Sequence, residues 1–256
     1  MFEKGGEMSK KTEKLTKDEL IARASRFYHR YGQELEQIAE LLEIKLKQTA
    51  LAYTLNHKLP AEAVKVTTRV KSLESFLKKV ENDGWPTFYY ATDVVKDLIG
   101  ARVVCWFVDD CYGLLKFIKK SNHFSVASNK THPVKDFIKT PQEAGYRAIH
   151  VFANVTYDSV QLLKGDGVSV VPSKILCEIQ IRTKLQDAWG DITHEFFYKA
   201  KAKGITDKNL QAFLAEVSDR LAGEDKTLMK FRDTYQSLSD DKTLIGKREG
   251  FRNKKK

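Results

Sequence analysis

Residues 177–183 read CEIQIRT, with Glu178, Gln180 and Arg182 alternating with Cys177, Ile179 and Ile181. In an extended chain successive side chains point to opposite faces, so the three polar residues line one face and the apolar ones the other. Two readings are open. One is a half-buried strand with a solvated outer face; the other is a strand whose polar face carries chemistry. The rest of the chain has to decide between them.

Working outward, AIHVFANVTY (148–157) and ILCEIQIRT (175–183) bracket a KGDG turn at 164–167 and predict antiparallel strands joined by a loop. ARVVCWFV (101–108) is β-branched and strongly apolar, as a central strand is, and DDCYGLLKFIKK after it has helical spacing. VKVTTRV (64–70) predicts a strand, SLESFLKKV (72–80) a short helix, and GWP (84–86) a break. Before them, TKDE (16–19) has capping-box form and opens an amphipathic helix with Leu20, Ala24, Phe27, Tyr31, Leu35, Ile38 and Leu42 on one stripe, closed by Pro60. KLQDAWGDITHEFFYK and a stretch from Asp207 to Tyr235 predict closing helices. The expected organisation is a helical region at 1–60, a core at 61–200, a second helical region at 201–241 and a disordered basic tail at 242–256.

The chain has 256 residues, 42% hydrophobic and 30% charged, enough for one substantial core. Three cysteines, Cys105, Cys111 and Cys177, form no CxxC pair and lie in or beside apolar runs. That pattern predicts reduced core residues in a reducing, cytoplasmic compartment. No apolar segment has the length of a signal peptide or a membrane span, so neither secretion nor membrane insertion is expected. The net charge of +10 suggests nucleic acid, but from Lys242 onward seven basic residues against Glu249 supply six of those ten charges. The folded part is therefore only mildly basic.

Four polar clusters fall at the edges of the predicted strands: RVKSLESFLKK (69–79), KDLIGAR (96–102), EAGYRAIH (143–150) and EIQIRT (178–183). Each joins a cation to an acid, and two contain glycine where a backbone turns or approaches a ligand. Carboxylates such as Asp97 and Glu178 amid surplus cations suit phosphoryl transfer, in which carboxylates hold magnesium while Arg and Lys neutralise phosphate charge. There is no Walker A loop and no GxGxxG.

These clusters resemble, in order, the motifs of the synthetase domain of the RelA/SpoT proteins, and within that family the small, single-domain alarmone synthetases. RxKxxxSxxxK is matched by Arg69, Lys71, Ser75 and Lys79, and DxxGxR by Asp97, Gly100 and Arg102. GYxxxH is matched by Gly145, Tyr146 and His150, and ExQxRT by Glu178, Gln180, Arg182 and Thr183. The resemblance runs from about Val64 to Lys199. It implies an α/β (α+β) fold, a mixed sheet flanked by helices and related to nucleotidyltransferases. The implied enzyme is an ATP-dependent pyrophosphokinase that makes the alarmone (p)ppGpp by moving pyrophosphate from ATP to the ribose 3′-hydroxyl of GDP or GTP.

On that resemblance Asp97 and Glu178 are the catalytic pair and hold Mg2+, with Glu178 also the general base. Arg69, Lys71, Ser75, Lys79 and Arg102 bind ATP. Tyr146 stacks on the acceptor base, and Arg147, His150, Gln180 and Arg182 place its sugar and phosphates. His194 and Lys199 in HEFFYK serve packing or phosphate binding. The family commonly has asparagine before GY, where this chain has Ala144, and a basic pair that often follows the first motif is replaced by Val80 and Glu81. The acceptor therefore stays open among a guanosine nucleotide, an adenosine nucleotide and the 3′ end of tRNA. The last two belong to a toxic relative, with an antitoxin as its partner, and a catalytically silent nucleotide- or RNA-binding module is a third class. The helical ends are candidates for homo-oligomer contacts. None of the six histidines is followed by Asp, so the family's hydrolase activity is not expected.

Overall fold

The computed structural model describes residues 15–127, 130–163, 167–202 and 207–252, with the side chains of 143, 195, 197–202 and 239–252 outside that description. The first described element is helix α1 (Lys17–Asn56), where the Thr16 hydroxyl accepts from the Glu19 amide at 3.3 Å and the Glu19 carboxylate accepts from the Thr16 amide at 2.8 Å. This reciprocal cap satisfies two otherwise orphaned N–H groups. Leu20, Ala24, Phe27, Leu35, Ile38 and Leu42 are buried as their spacing predicts, and the stripe continues through Leu46, Ala50 and Tyr53. Tyr31 is only half-buried, its ring tilted at 46° to that of Phe27 with centroids 5.2 Å apart.

Strand β1 (Val64–Val70) leads through the N-cap Ser72 into α2 (Leu73–Asn82). The expected break is real, because Gly84 and Trp85 take φ of 76° and 56°. A four-residue turn, α3 (Ala91–Val94), precedes β2 (Ile99–Cys105) and α4 (Val108–Lys120). The predicted strand at 101–108 therefore starts and ends earlier, because Phe107 already caps the helix that Asp109 and Asp110 open with favourable charge at its N-terminus. Then come β3 (Phe124–Val126), β4 (Lys135–Asp136), β5 (Ile149–Leu162), β6 (Val168–Thr183), α5 (Lys184–Ala202) and α6 (Lys208–Arg252).

The strands form one mixed sheet in the order β1-β2-β6-β5-β3, with β4 also on β5. β2 and β6 are parallel at its centre and the other pairs are antiparallel. β5 and β6 are longer than their apolar runs suggest, pairing from Ile149↔Ile181 out to Leu162↔Val168. Residues 164–166 of the expected KGDG turn lie outside the described residues. One face of the sheet packs on α1 and α4, and there Cys177, Ile179, Ile181, Ile99, Val103, Ile149 and Val151 have no exposed surface. All three cysteines are free and buried.

Helix α6 crosses the expected boundary at 241 and runs to Arg252. Its last stretch has no proline and holds four Lys or Arg residues with Leu244 and Glu249, whose helix propensity outweighs Gly246 and Gly250. The four residues 253–256 of the expected basic tail lie outside the described residues. Among the described residues no helix is long and apolar enough to cross a membrane.

Candidate active site

The face of the sheet opposite the core carries the polar half of the alternation. Strand register sets Arg69, Gly100, Glu178 and Phe152 side by side in one row across β1, β2, β6 and β5. The next row is Thr67, Arg102, Gln180 and His150. Four motifs distant in sequence thus meet on one surface because side chains two residues apart share a face. A Cβ added at Gly100 would meet nothing within 4 Å, so the missing side chain leaves a hollow between Arg69 and Glu178 that no protein atom needs. Arg69 is exposed at the rim of this hollow.

Asp97 lies just before β2, and its two oxygens are bound by Lys79 at 2.6 Å and Lys71 at 3.0 Å. Burial pushes its pKa upward, but the hydrogen bond from Lys79 and the charges of both lysines outweigh that and hold it below the usual carboxylate range. Glu178 sits inside a closed ring of side chains. One oxygen meets His150 Nδ1 at 2.9 Å and the other accepts from Gln180 Nε2 at 2.9 Å. Arg182 donates to Gln180 Oε1 and, at 3.3 Å, to the Tyr146 hydroxyl, which meets His150 Nε2 at 2.8 Å. Burial raises the Glu178 pKa and the His150 and Gln180 contacts lower it, with a net depression. Both carboxylates are therefore anions at neutral pH.

Arg182 is 3% exposed, and burial depresses its pKa. Its guanidinium lies 5.5 Å from the Tyr146 ring centroid. Phe137 packs edge-on against both Tyr146 and His150, at 6.0 and 5.2 Å. The alternation read from CEIQIRT thus holds, except that at Arg182 the polar side too is covered.

The site brings together Asp97, Glu178, Lys71, Lys79, Arg102, Tyr146, His150, Gln180 and Arg182, with Arg69 on the same face. Two expected ligands are engaged otherwise. Ser75 is exposed at the first turn of α2, where its hydroxyl and amide both bond the Ser72 cap at 2.9 and 3.2 Å. Arg147 is committed to the Ile138 carbonyl at 3.0 Å and to Asp219, because it follows a loop that α6 holds down. Ala144 sits in that loop at φ 61°, a left-handed conformation costly for alanine and better tolerated by asparagine. His194 is exposed on α5, and the Lys199 side chain lies outside the described residues.

Sequence reasoning missed Asp187 and Asp191, which pair with Arg102 at 3.2 and 2.7 Å. Their only local signal is four-residue spacing on the helix that follows ExQxRT. The α6 contacts had no sequence signal.

Magnesium fits the donors present. Among the described residues no three His, Cys, Asp or Glu side chains group to enclose a metal, but the charge of Asp97 reaches Glu178. Magnesium is usually held by one or two carboxylates together with water and substrate phosphates.

A mixed sheet that carries two anionic carboxylates and converging cations on one face has the charge pattern that phosphoryl transfer requires. The family model described as "Region found in RelA / SpoT proteins" matches residues 68–203, and the chain belongs to the RelA/SpoT family. Two Bacillus subtilis relatives, the GTP pyrophosphokinases YjbM and YwaC, are each 28% identical to it. The match covers 82% of this chain and 90% of YjbM, and 71% of this chain and 80% of YwaC. Among solved structures, a GTP pyrophosphokinase family protein from Streptococcus pneumoniae aligns with a TM-score of 0.66 at 26% identity, covering 82% of this chain and 95% of that one. Small alarmone synthetase 1 from Bacillus subtilis, bound to its product pppGpp, aligns with a TM-score of 0.64 at 25% identity, covering 81% and 97%.

Proposed function

We propose that the chain is a (p)ppGpp synthetase, an ATP-dependent pyrophosphokinase acting on GDP or GTP. The observation that carries this reading is the placement of an anionic Glu178, fixed by His150 and Gln180, beside the Gly100 hollow and in one row with Arg69. The names of the relatives and the pppGpp bound to the Bacillus enzyme support the same reaction.

In the proposed reaction the acceptor's 3′-hydroxyl oxygen attacks the β-phosphorus of ATP. The bond from that phosphorus to the α,β-bridging oxygen breaks, and AMP leaves with the electron pair. Glu178 takes the hydroxyl proton; its ring partners keep the carboxylate ionised and aimed. Asp97 and Glu178 would hold magnesium, which when bound neutralises phosphate charge and polarises the phosphoryl oxygens. Lys71 and Lys79, now paired with Asp97, exchange toward the phosphates, and Arg69 and Arg102 hold ATP from the β1–β2 side. Tyr146 stacks on the acceptor base, while His150, Gln180 and the buried Arg182 place its sugar and phosphates. The three buried thiols support a reducing, cytoplasmic setting. Exposed Phe231, Tyr235 and Leu238 along α6 support a second copy of the chain as a partner.

The test is to incubate the protein with magnesium and γ-labelled ATP together with GDP, GTP, ADP or uncharged tRNA in separate reactions. Label on GDP or GTP, with AMP formed in equal amount, is the expected result. Label on ADP or tRNA alone, or on none, would overturn it.

A further inference from the structure

We infer that helix α6, which begins after the segment matched by the family model, is a positioning element for the acceptor-binding loop, acting through Ser218, Asp219 and Asp225. This rests on the function proposed above.

Three contacts from one helix reach three points of the acceptor half. Ser218, with no exposed surface, donates its hydroxyl to the Gly145 carbonyl. Asp219 pairs with Arg147, two residues further on. Asp225, 2% exposed, accepts from the Thr183 hydroxyl at 2.8 Å, and the Gln186 amide bonds the same hydroxyl at 3.2 Å. Thr183 ends the strand that carries Glu178, Gln180 and Arg182, so α6 holds both the strand end and the loop. The fit is close: a Cβ on Gly145 would lie 2.6 Å from Ser218 Cβ and 2.9 Å from Ala215 Cα. Gly145 also takes φ of 87°. The glycine is thus demanded twice, by its backbone conformation and by the helix above it.

The consequence falls on Tyr146, which lies between the two clamped residues Gly145 and Arg147. Its hydroxyl belongs to the ring that fixes Glu178, and its ring is the proposed stacking surface for the base. Besides α6, that loop is held by its own turn, closed by the Gly145 amide on the Gln142 carbonyl at 2.9 Å and the Gln142 amide on the Tyr146 carbonyl at 3.2 Å, by the Arg147 bond to the Ile138 carbonyl and by the contacts of the Tyr146 hydroxyl with His150 and Arg182. Among the described residues the ion pairs of Lys71 and Lys79 are with Asp97 and not with α6, so the clamp acts on the acceptor side.

The experiment compares Ser218→Ala, Asp219→Asn and the double variant with the parent, using Glu216→Ala, an exposed residue paired with Arg220 on its own helix, as control. Amide hydrogen exchange is measured without nucleotide, and initial rates are measured with ATP and acceptor varied separately. In the double variant, exchange across 142–148 is expected to rise about tenfold, with the centre of β5 and β6 unchanged. The acceptor KM is expected to rise about 5- to 50-fold, with the KM for ATP within about twofold of the parent. Asp219→Glu should recover most of the single-site loss. Unchanged exchange in that loop, or equal rises in both KM values, would overturn the clamp. A parent that transfers nothing to GDP or GTP would overturn the proposed function, leaving the exchange measurement to decide the clamp alone.

Discussion

At the residue scale, the two carboxylates are the sharpest commitments. Asp97→Asn and Glu178→Gln keep side-chain volume but remove charge. Each is expected to cut transfer by roughly three or more orders of magnitude while the circular dichroism spectrum stays that of the parent. Asp97 gives a second readout. Its folded pKa is depressed by Lys79 and Lys71, so it contributes stability above its unfolded value that is lost as pH falls through the folded one. The Asp97→Asn variant should therefore melt below the parent at pH 7, with the gap closing below about pH 4. A gap that widened in acid would refute the pairing. Most of these residues were legible from the four motifs, because motif order and spacing report the shared face. The Arg147–Asp219 pair was not legible, since nothing in EAGYRAIH tells that a helix 72 residues later supplies an aspartate. Asp187 and Asp191 escaped because they bond to Arg102 from another element.

At the scale of elements, alternation and helical spacing gave the strands and helices but not their lengths. β5 and β6 extend past their apolar runs because each supplies the other's hydrogen bonds out to Leu162↔Val168, pairing that does not require a buried face. The row Arg69–Gly100–Glu178 is a consequence of register, and it makes a prediction for β2. Gly100→Ala places a methyl group into open space, so the variant should be at least as stable as the parent, since glycine within a strand is entropically costly. The same methyl intrudes into the hollow beside Glu178 and Arg69, the proposed general base and an ATP-holding cation, so turnover should fall about a hundredfold. A stable and fully active variant would move the reaction away from this row. On α5, Asp191 holds Arg102 from a half-exposed position, a pair of the kind worth at most about 1 kcal/mol. Asp191→Asn should accordingly lower the KM for ATP by up to about fivefold, and a raised KM would mean that the aspartate helps to bind ATP rather than competing for its arginine.

At the scale of the whole molecule, the charge distribution decides what kind of acceptor the protein is built for. Six of the ten net positive charges lie from Lys242 onward, beyond the last described ion pair that α6 makes with the core, Arg232 to Asp109 at 2.7 Å. The catalytic face, by contrast, balances its cations internally: Asp97 against Lys71 and Lys79, Asp187 and Asp191 against Arg102. Such a face suits a compact, multiply charged nucleotide that exchanges for those partners one by one. A polynucleotide would need a continuous basic track, and the sequence from Lys242 onward, with seven cations against one acid, is the candidate for it. Truncation after Asp241 separates the two cases while leaving Ser218, Asp219, Asp225 and Arg232 in place. With GDP or GTP as acceptor, turnover should stay within about twofold of the full chain, and its salt dependence should be unchanged, because no phosphate counterions are displaced by the lost segment. With tRNA as acceptor, the same truncation would weaken binding and flatten the dependence of affinity on salt, since up to seven cations would no longer neutralise phosphates. The first outcome is expected, because every residue assigned to the acceptor lies between Tyr146 and Arg182, on strands and a loop that the missing segment does not build.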